Sequence, residues 1–405
     1  MRSNSYLLPL VFLLASTQVV AEGALSIELI PQWNTFDRSR AFYDPAANND
    51  QQQTTTEMEL SWHQDGLSLQ GGLGLKNSDS SDQANGHLYE LFYDYAIAGL
   101  DVSVGKKRAG IGVGYAYRPM DMIQQEQRQT LRSVVVEGVP LISVERFSET
   151  GNAGLVYVNH LQVNEDSTTS GDEEWAIKGY KLIGDTDLQW LVHYDQQRQT
   201  SAAAGFSWVG DEAVELHASM RLQGEYESLP TYNYDLITQT AIETSHKDSN
   251  GLVALLGLTW TFRNGTSVIA EYWRDTMAPD QAFWDSVISD LHYIKSGGVV
   301  NAQNAAQIAS LNQRIDYGYS RSNFVQNNLF VRCSYDGQWA DPSVDILYHP
   351  DDQGYAITLR AEREFSQSQR LGFGIRQLGG GSDTLMGNVG ESQQVYISWE
   401  YSHGL

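Results

Sequence analysis

The stretch Val214-Glu215-Leu216-His217-Ala218-Ser219-Met220-Arg221-Leu222 decides the fold. Val214, Leu216, Ala218, Met220 and Leu222 fall on one face of an extended chain, and Glu215, His217, Ser219 and Arg221 on the other. A period of two with one wholly apolar face describes a strand with oil on one side and water on the other. The pattern recurs along the chain. Met58, Leu60 and Trp62 alternate with Glu57, Glu59 and Ser61, and Val395, Ile397, Trp399 and Tyr401 alternate with Gln394, Tyr396, Ser398 and Glu400. Leu188, Trp190, Val192 and Tyr194, and Leu371, Phe373 and Ile375, keep the same rhythm. About 18 such segments can be drawn, or about 16 if Val134 to Arg146 belongs to a loop, each of roughly 8 to 12 residues, enough for a tilted strand to cross a bilayer.

The connectors alternate in length. Gln64-Asp65-Gly66, Ala98-Gly99, Ile183-Gly184-Asp185, Gly210-Asp211-Glu212 and Arg263-Asn264-Gly265 read as tight hairpin turns. Between them lie long or polar connectors: Trp33 to Gln53, Lys76 to Gly86, Lys107 to Gly138, Gln223 to Asn250 and Thr276 to Phe324. Short turns at one rim and long loops at the other, with an even strand number, predict an all-β transmembrane antiparallel up-and-down barrel. A soluble β-sandwich has no reason to obey that alternation. Trp62, Tyr95, Trp175, Tyr194, Trp208, Trp260, Trp273, Tyr348, Trp399 and Tyr401 sit near strand ends, where an interfacial girdle places aromatics; strand propensity alone accounts for part of that set.

Residues Met1 to Ala21 read as a cleaved secretory leader: Arg2, an apolar stretch from Tyr6 to Ala15, then Val19-Val20-Ala21. The apolar stretch is too short to span a membrane as a helix. Residues 22–405 then form a single barrel domain with long loops at 107–138, 223–250 and 276–324. The net charge of -24 argues against nucleic acid as a partner and suits a surface facing water or divalent cations. The acidic stretches Asn77 to Asp82 and Asn164 to Glu174 match calcium ligands in composition but not in spacing, so they read as solvated tips or cation-bridged contacts to lipopolysaccharide. Cys333 is the single cysteine, so no internal disulfide forms.

On these residues the chain resembles the porin-like Gram-negative outer-membrane β-barrels as a class, over nearly its whole mature length. Trp399 and Tyr401 also resemble the outward aromatics of the outer-membrane sorting signal, although Ser402-His403-Gly404-Leu405 follow them and the usual terminal aromatic is missing. The resemblance implies an outer-membrane location and contact with membrane lipid, lipopolysaccharide and the barrel-insertion machinery. It also implies a channel for passive diffusion or export of small hydrophilic solutes, with no cofactor and no catalysis. A homotrimer is common in the class, but nothing in the sequence requires one. A second reading from another class is a barrel plugged by its own loops and serving as a binding or assembly partner of another envelope component.

Two connectors carry candidate function. In the first, Lys106, Lys107 and Arg108 precede Gly110-Ile111-Gly112-Val113-Gly114-Tyr115-Ala116-Tyr117-Arg118-Pro119-Met120-Asp121. Alternating glycines allow close backbone packing and Pro119 stops the strand, so Lys106, Lys107, Arg108, Tyr115, Tyr117, Arg118 and Asp121 are candidates for a pore constriction. The plainer reading is a strand extension above the membrane. The second connector, Thr276 to Phe324, predicts a helix starting near Pro279, with Phe283, Val287 and Leu291 at four-residue spacing, ended by Gly297-Gly298; a weaker helix follows over Ala302 to Arg314. It reads as a lid or as packing on neighbouring loops.

By alternation Arg221, Arg332, Arg360 and Arg376 point into the lumen, as do Glu57, Glu59, Glu90 and Asp94. Opposite signs on different sectors make a transverse field that sorts charged solutes; the plainer reading is solvation of a wet lumen. His217 and Ser219 resemble the His-x-Ser pair of the outer-membrane phospholipase, but that pair faces lipid and this one faces the lumen. His160, His193 and His217 show no metal-ligand spacing.

Overall fold

The computed structural model describes residues 22–42, 51–78, 81–124, 131, 136–159, 173–211, 213–235, 240–301 and 304–404. The leader, and parts of the long loops, lie outside them. The strands are β1 (Glu22–Phe36), β2 (Gln52–Gln64), β3 (Leu67–Ser78), β4 (Asp82–Ile97), β5 (Leu100–Lys107), β6 (Val139–Ser148), β7 (Gly151–Asn159), β8 (Glu173–Ile183) and β9 (Thr186–Asp195). They continue as β10 (Gln199–Asp211), β11 (Val214–Asp235), β12 (Thr240–Thr261), β13 (Thr266–Asp275), β14 (Asn327–Tyr335), β15 (Asp341–Tyr348), β16 (Tyr355–Ser366), β17 (Gln369–Gly379) and β18 (Glu391–Gly404). Each pairs antiparallel with its neighbours in sequence, and β1 pairs with β18, which closes an 18-stranded barrel. Closure leaves no edge, so backbone groups in the bilayer are bonded within the wall.

The register carries the alternation from strand to strand. On the outward face Leu216 pairs with Leu258, Ala218 with Leu256, and Leu256 with Tyr272. On the inward face His217 pairs with Gly257, and Gly257 with Glu271. Every short turn read from the sequence joins consecutive strands. Among the described residues no helix is long and apolar enough to cross a membrane; the crossing is made by strands. Trp208, Trp260, Phe262, Tyr335, Trp399 and Tyr401 stand outward near the short turns, and Trp175, Tyr194, Tyr272 and Tyr355 near the long loops. They form two belts around an apolar waist.

Two sequence readings change. Gln223 to Asn250 is no loop: β11 and β12 are each 22 residues long and run on as a two-stranded hairpin, roughly 40 Å beyond their pairing with β10 and β13. Lys76 to Gly86 likewise belongs largely to β3 and β4, which pair up to Asn77 and Asp82. A ribbon that has left the barrel wall no longer separates lipid from lumen and needs no apolar alternation, so it reads as loop. Within β12, Leu256 is 62% exposed while Val253 and Leu255 are buried at 0% and 3%. The inward pair packs against chain inside the barrel.

The turn between β4 and β5 carries a local cost. Ala98 and Gly99 both take left-handed backbone, φ 54° and 76°. A β-carbon in that region is unfavourable by about 1 kcal/mol. Ala98→Gly is therefore expected to stabilise the barrel by about 1 kcal/mol in urea unfolding from detergent. A midpoint unchanged or lowered in the variant would count against that strain.

Candidate functional site

The chain between β5 and β6 turns into the barrel. Its glycines shape the first turn: Gly112 and Gly114 have φ of 109° and 127°, and a β-carbon on them would strike the Met120 side chain and the Tyr117 carbonyl. The closeness is thus of the segment to itself, more than to the wall as the glycine spacing suggested. Tyr115 and Tyr117 then reach the far side, where their rings stack on Phe330 of β14 and Trp273 of β13, each at 5.7 Å.

Glu271 of β13 fixes that contact. Its carboxylate accepts the backbone N–H of Tyr115 at 2.5 Å and of Ala116 at 2.8 Å, and pairs with His217 Nε2 at 2.9 Å. Glu271 is 1% exposed, so these bonds are made away from water, where each is hard to replace. Farther on, the Leu131 carbonyl accepts Arg360 Nε of β16 at 2.8 Å, and its side chain packs with Ile30 of β1 and Tyr396 of β18. Met120, Met122 and Ile123 pack on inward Leu141, Val156, Val158 and Leu191. The segment thus meets the wall from β6 round to β1.

A second anchor went unread in the sequence. Arg198 donates to the Met122 carbonyl at 3.0 Å, to Glu174 Oε1 at 2.7 Å and to Asp195 Oδ2 at 2.6 Å. His193 lies between the two carboxylates, 3.0 Å from Glu174 and 3.6 Å from Asp195. Glu174, His193 and Asp195 are close enough to surround one ion. Arg198 already takes an oxygen of each carboxylate, which makes the group an ion-pair network. The signal was available in principle: His193 and Asp195 are two apart on β9 and share the inward face.

The candidate constriction residues separate. Lys107 pairs with Asp94 at 2.9 Å and lies 4.4 Å from the Phe92 ring centroid. Arg108 pairs with Glu90 at 3.4 Å and bonds Gln70. Lys106 holds the register of outward Leu91, on the strand face opposite Lys107, and pairs with Glu137. Tyr115 and Tyr117 lie against β13 and β14; Arg118 bonds the Gly114 carbonyl at 3.4 Å, and buried Asp121 accepts the Ile111 N–H at 3.3 Å.

The eight charges picked from the alternation lie at register positions opposite to the outward apolar residues of their strands. Arg332 and Arg360 share Asp345, which stands between them on β15. Arg332 also stacks over Tyr115 at 5.1 Å. Arg376 is at the register of Thr358 and Gln394, and Arg221 is buried beside Val253. Glu57 faces Glu28 in register, with Glu59 two residues on. A cavity of about 300 Å³ lies between the segment and this wall, lined by Tyr115, Arg332, Arg360 and Arg376 on one side and by Glu28 and Glu400 on another. Glu90 and Asp94 are matched by Arg108 and Lys107, and Glu400 lies 3.8 Å from Arg370, which also lines the cavity. His217 Nε2 pairs with Glu271, and among the described residues no hydrogen bond joins His217 to Ser219.

Above the mouth, the β13–β14 connector forms α1 (Gln281–Lys295), α2 (Ala305–Ala309) and α3 (Leu311–Tyr319). Asp280 caps α1 by accepting the Phe283 N–H at 2.9 Å. Phe283, Trp284, Val287 and Ile288 pack with Leu311, Val325 and Leu385, the last on α4 (Leu385–Asn388), and with Phe42. The connector therefore rests on the neighbouring loops, and burial raises the pKa of Tyr317 and Tyr319. Asp352 ties α4 to the β15–β16 loop by accepting the Leu385 N–H at 2.7 Å. His349, 1% exposed, sits 3.9 Å from Asp352, and burial holds its pKa below 6.5 against the pull of Asp352 and Asp351.

That places a pH limit on the cap. His349 is neutral when packed, and a released loop binds the proton more readily. Stability is complete above the ordinary histidine pKa and falls as pH drops below it. The protection factors of the α4 amides, that is exchange relative to the intrinsic rate at each pH, are expected to fall between about pH 6.5 and pH 5, and His349→Gln should flatten that slope. An equal slope in the variant would refute it.

Neither a protein-family model nor a curated protein matches the sequence. Solved structures do match in shape. Acinetobacter baumannii OccAB1 aligns at TM-score 0.60 and 9% identity over 95% of this chain and 97% of that one. Pseudomonas aeruginosa OccK11 (OpdR) aligns at 0.54 and 9% over 95% and 96%, and OccK8 (OprE) of the same organism at 0.54 and 10% over 95% and 98%. The fold is that of the porin-like outer-membrane barrels. At such identity the likeness concerns architecture, and the site has to be read from this chain's own residues.

Proposed function

We propose that the protein is a channel in the outer membrane of a Gram-negative bacterium, passing small hydrophilic solutes by passive diffusion. Its filter is the inward segment from Lys107 to Asp121, and its mechanism is size exclusion combined with a field from the inward charges. One observation supports the reading: the segment is anchored inside the barrel at Glu271 and at Arg360, beside a wall that carries Arg332, Arg360 and Arg376 on β14 to β17 and, on the adjoining strands β18 to β2, Glu400, Glu28 and Glu57. A barrel that served only as a scaffold has no use for opposed charges around an internal cavity.

A second reading, a barrel plugged by its own loops and acting as an assembly partner, is favoured by how far the segment reaches: Tyr115 and Tyr117 pack on β14 and β13, across the ring from β5, and Leu131 packs on Ile30 and Tyr396. Conductance of the refolded protein in a planar bilayer separates the two. Steady single-channel steps with a charge preference support the channel. A folded barrel without conductance, at any applied voltage, removes that reading in favour of the plugged one.

A further inference from the structure

We propose that Arg363, Trp339 and Phe365 form a clamp for the phosphate of an anionic phospholipid at the short-turn rim of the barrel. Arg363 holds the register of outward Leu371, so it faces the bilayer side of β16. Its guanidinium carbon lies 4.7 Å from the ring centroid of Trp339 and 4.7 Å from that of Phe365. Trp339 belongs to the turn between β14 and β15 and is 72% exposed. An indole so exposed is at home where bilayer meets water, apolar body inward and N–H to the headgroups.

Two aromatic contacts make a fixed cation of a residue that is otherwise mobile. Rings attract the guanidinium through its faces, which leaves the N–H donors along its edge directed outward. That edge is a two-pronged match for a phosphate. The neighbouring carboxylates are committed elsewhere: Glu364 accepts Arg370 at 3.0 Å, and Glu362 faces the lumen at the register of Gly372. Among the described residues no carboxylate forms an ion pair with Arg363. Arg146 and Lys181 also hold outward register positions at this rim, pairing with Ala153 and Leu188. In a chain of net charge -24, cations placed there oppose the overall sign and attract an anionic leaflet.

The clamp rests on the barrel being embedded in a bilayer, and it is independent of whether the lumen conducts. The test is native mass spectrometry of the full chain in detergent, titrated with phosphatidylglycerol, on the wild type, Arg363→Gln, Arg363→Lys and Arg146→Gln. One saturable lipid is expected on the wild type, weakened about tenfold by Arg363→Gln. Arg363→Lys keeps the charge but loses the fork and should fall between; Arg146→Gln should bind as the wild type does. Equal binding by Arg363→Gln, or equal binding of a phosphate-free diacylglycerol, overturns the clamp. The same samples are assayed for conductance. A conducting barrel with no saturable lipid overturns the clamp alone, and a lipid-binding barrel that does not conduct upholds it while removing the channel reading.

Discussion

Glu271→Leu is expected to raise the single-channel conductance about twofold or more and to make the open current flicker. The substitution keeps an apolar body in the β13 wall and removes the oxygens that accept Tyr115 N–H, Ala116 N–H and His217 Nε2. Three donors are then left buried without that partner, at about 1–3 kcal/mol each. The remaining hold is the stacking of Tyr115 on Phe330 and Tyr117 on Trp273, about 0.5–1.5 kcal/mol per pair beyond area burial. The carboxylate therefore outweighs the rings, and the segment leaves the wall locally. The barrel stays closed, because strand pairing from β12 to β14 is made by backbone and does not involve the side chain. Glu271→Gln retains one acceptor oxygen and should give an intermediate conductance, which a purely structural lesion does not predict. Heat-modifiable migration on a gel checks that each variant is folded. A folded Glu271→Leu barrel with wild-type conductance and noise would mean that the segment does not set the width of the path.

Much of the architecture was legible in the residues because a membrane barrel imposes a repeating rule. Val214 to Leu222 shows it in nine residues, and Gln64 to Gly66 or Ala98-Gly99 marks where it reverses. The rule fails where a strand runs on beyond the barrel wall, as in the extended β11–β12 hairpin, or where the inward face is dry, as at Val253 and Leu255. Site residues were legible only by parity. Parity alone sets Arg332, Arg360 and Arg376 on the inward face, but Asp345, which Arg332 and Arg360 share, is not legible, since pairing across strands depends on register that the sequence does not state. Glu271 was missed for a related reason. Its neighbour Trp273 is a bulky aromatic at an inward position, and such a residue in a wet lumen signals that something apolar must cover it. Its place near a strand end puts Trp273 in the girdle on sequence alone, whereas it is fully buried against Tyr117.

Asp345→Asn tests sign where Glu271→Leu tests width. Asp345 is the carboxylate that Arg332 and Arg360 share, and Arg376 lies two strands away on the same sector. The amide keeps the shape and one acceptor oxygen, so the wall is not expected to move and the conductance should change little. What changes is one unit of negative charge beside a water-filled path. At about 4 Å in a medium between bulk water and protein surface, that charge is worth roughly 1–4 kcal/mol to a passing ion before screening. Salt at about 0.1 M has a Debye length of about 10 Å and leaves much of the effect, while about 1 M salt removes most of it. The anion-to-cation permeability ratio, read from the reversal potential at the lower salt, should rise about fivefold or more. Neutralising Arg360 and Arg376 together should drive it the other way, and both shifts should shrink as salt is raised. If the reversal potential is unmoved in both variants while the barrels remain folded and conducting, the inward charges merely solvate the lumen, and selectivity has to come from the geometry of the segment alone.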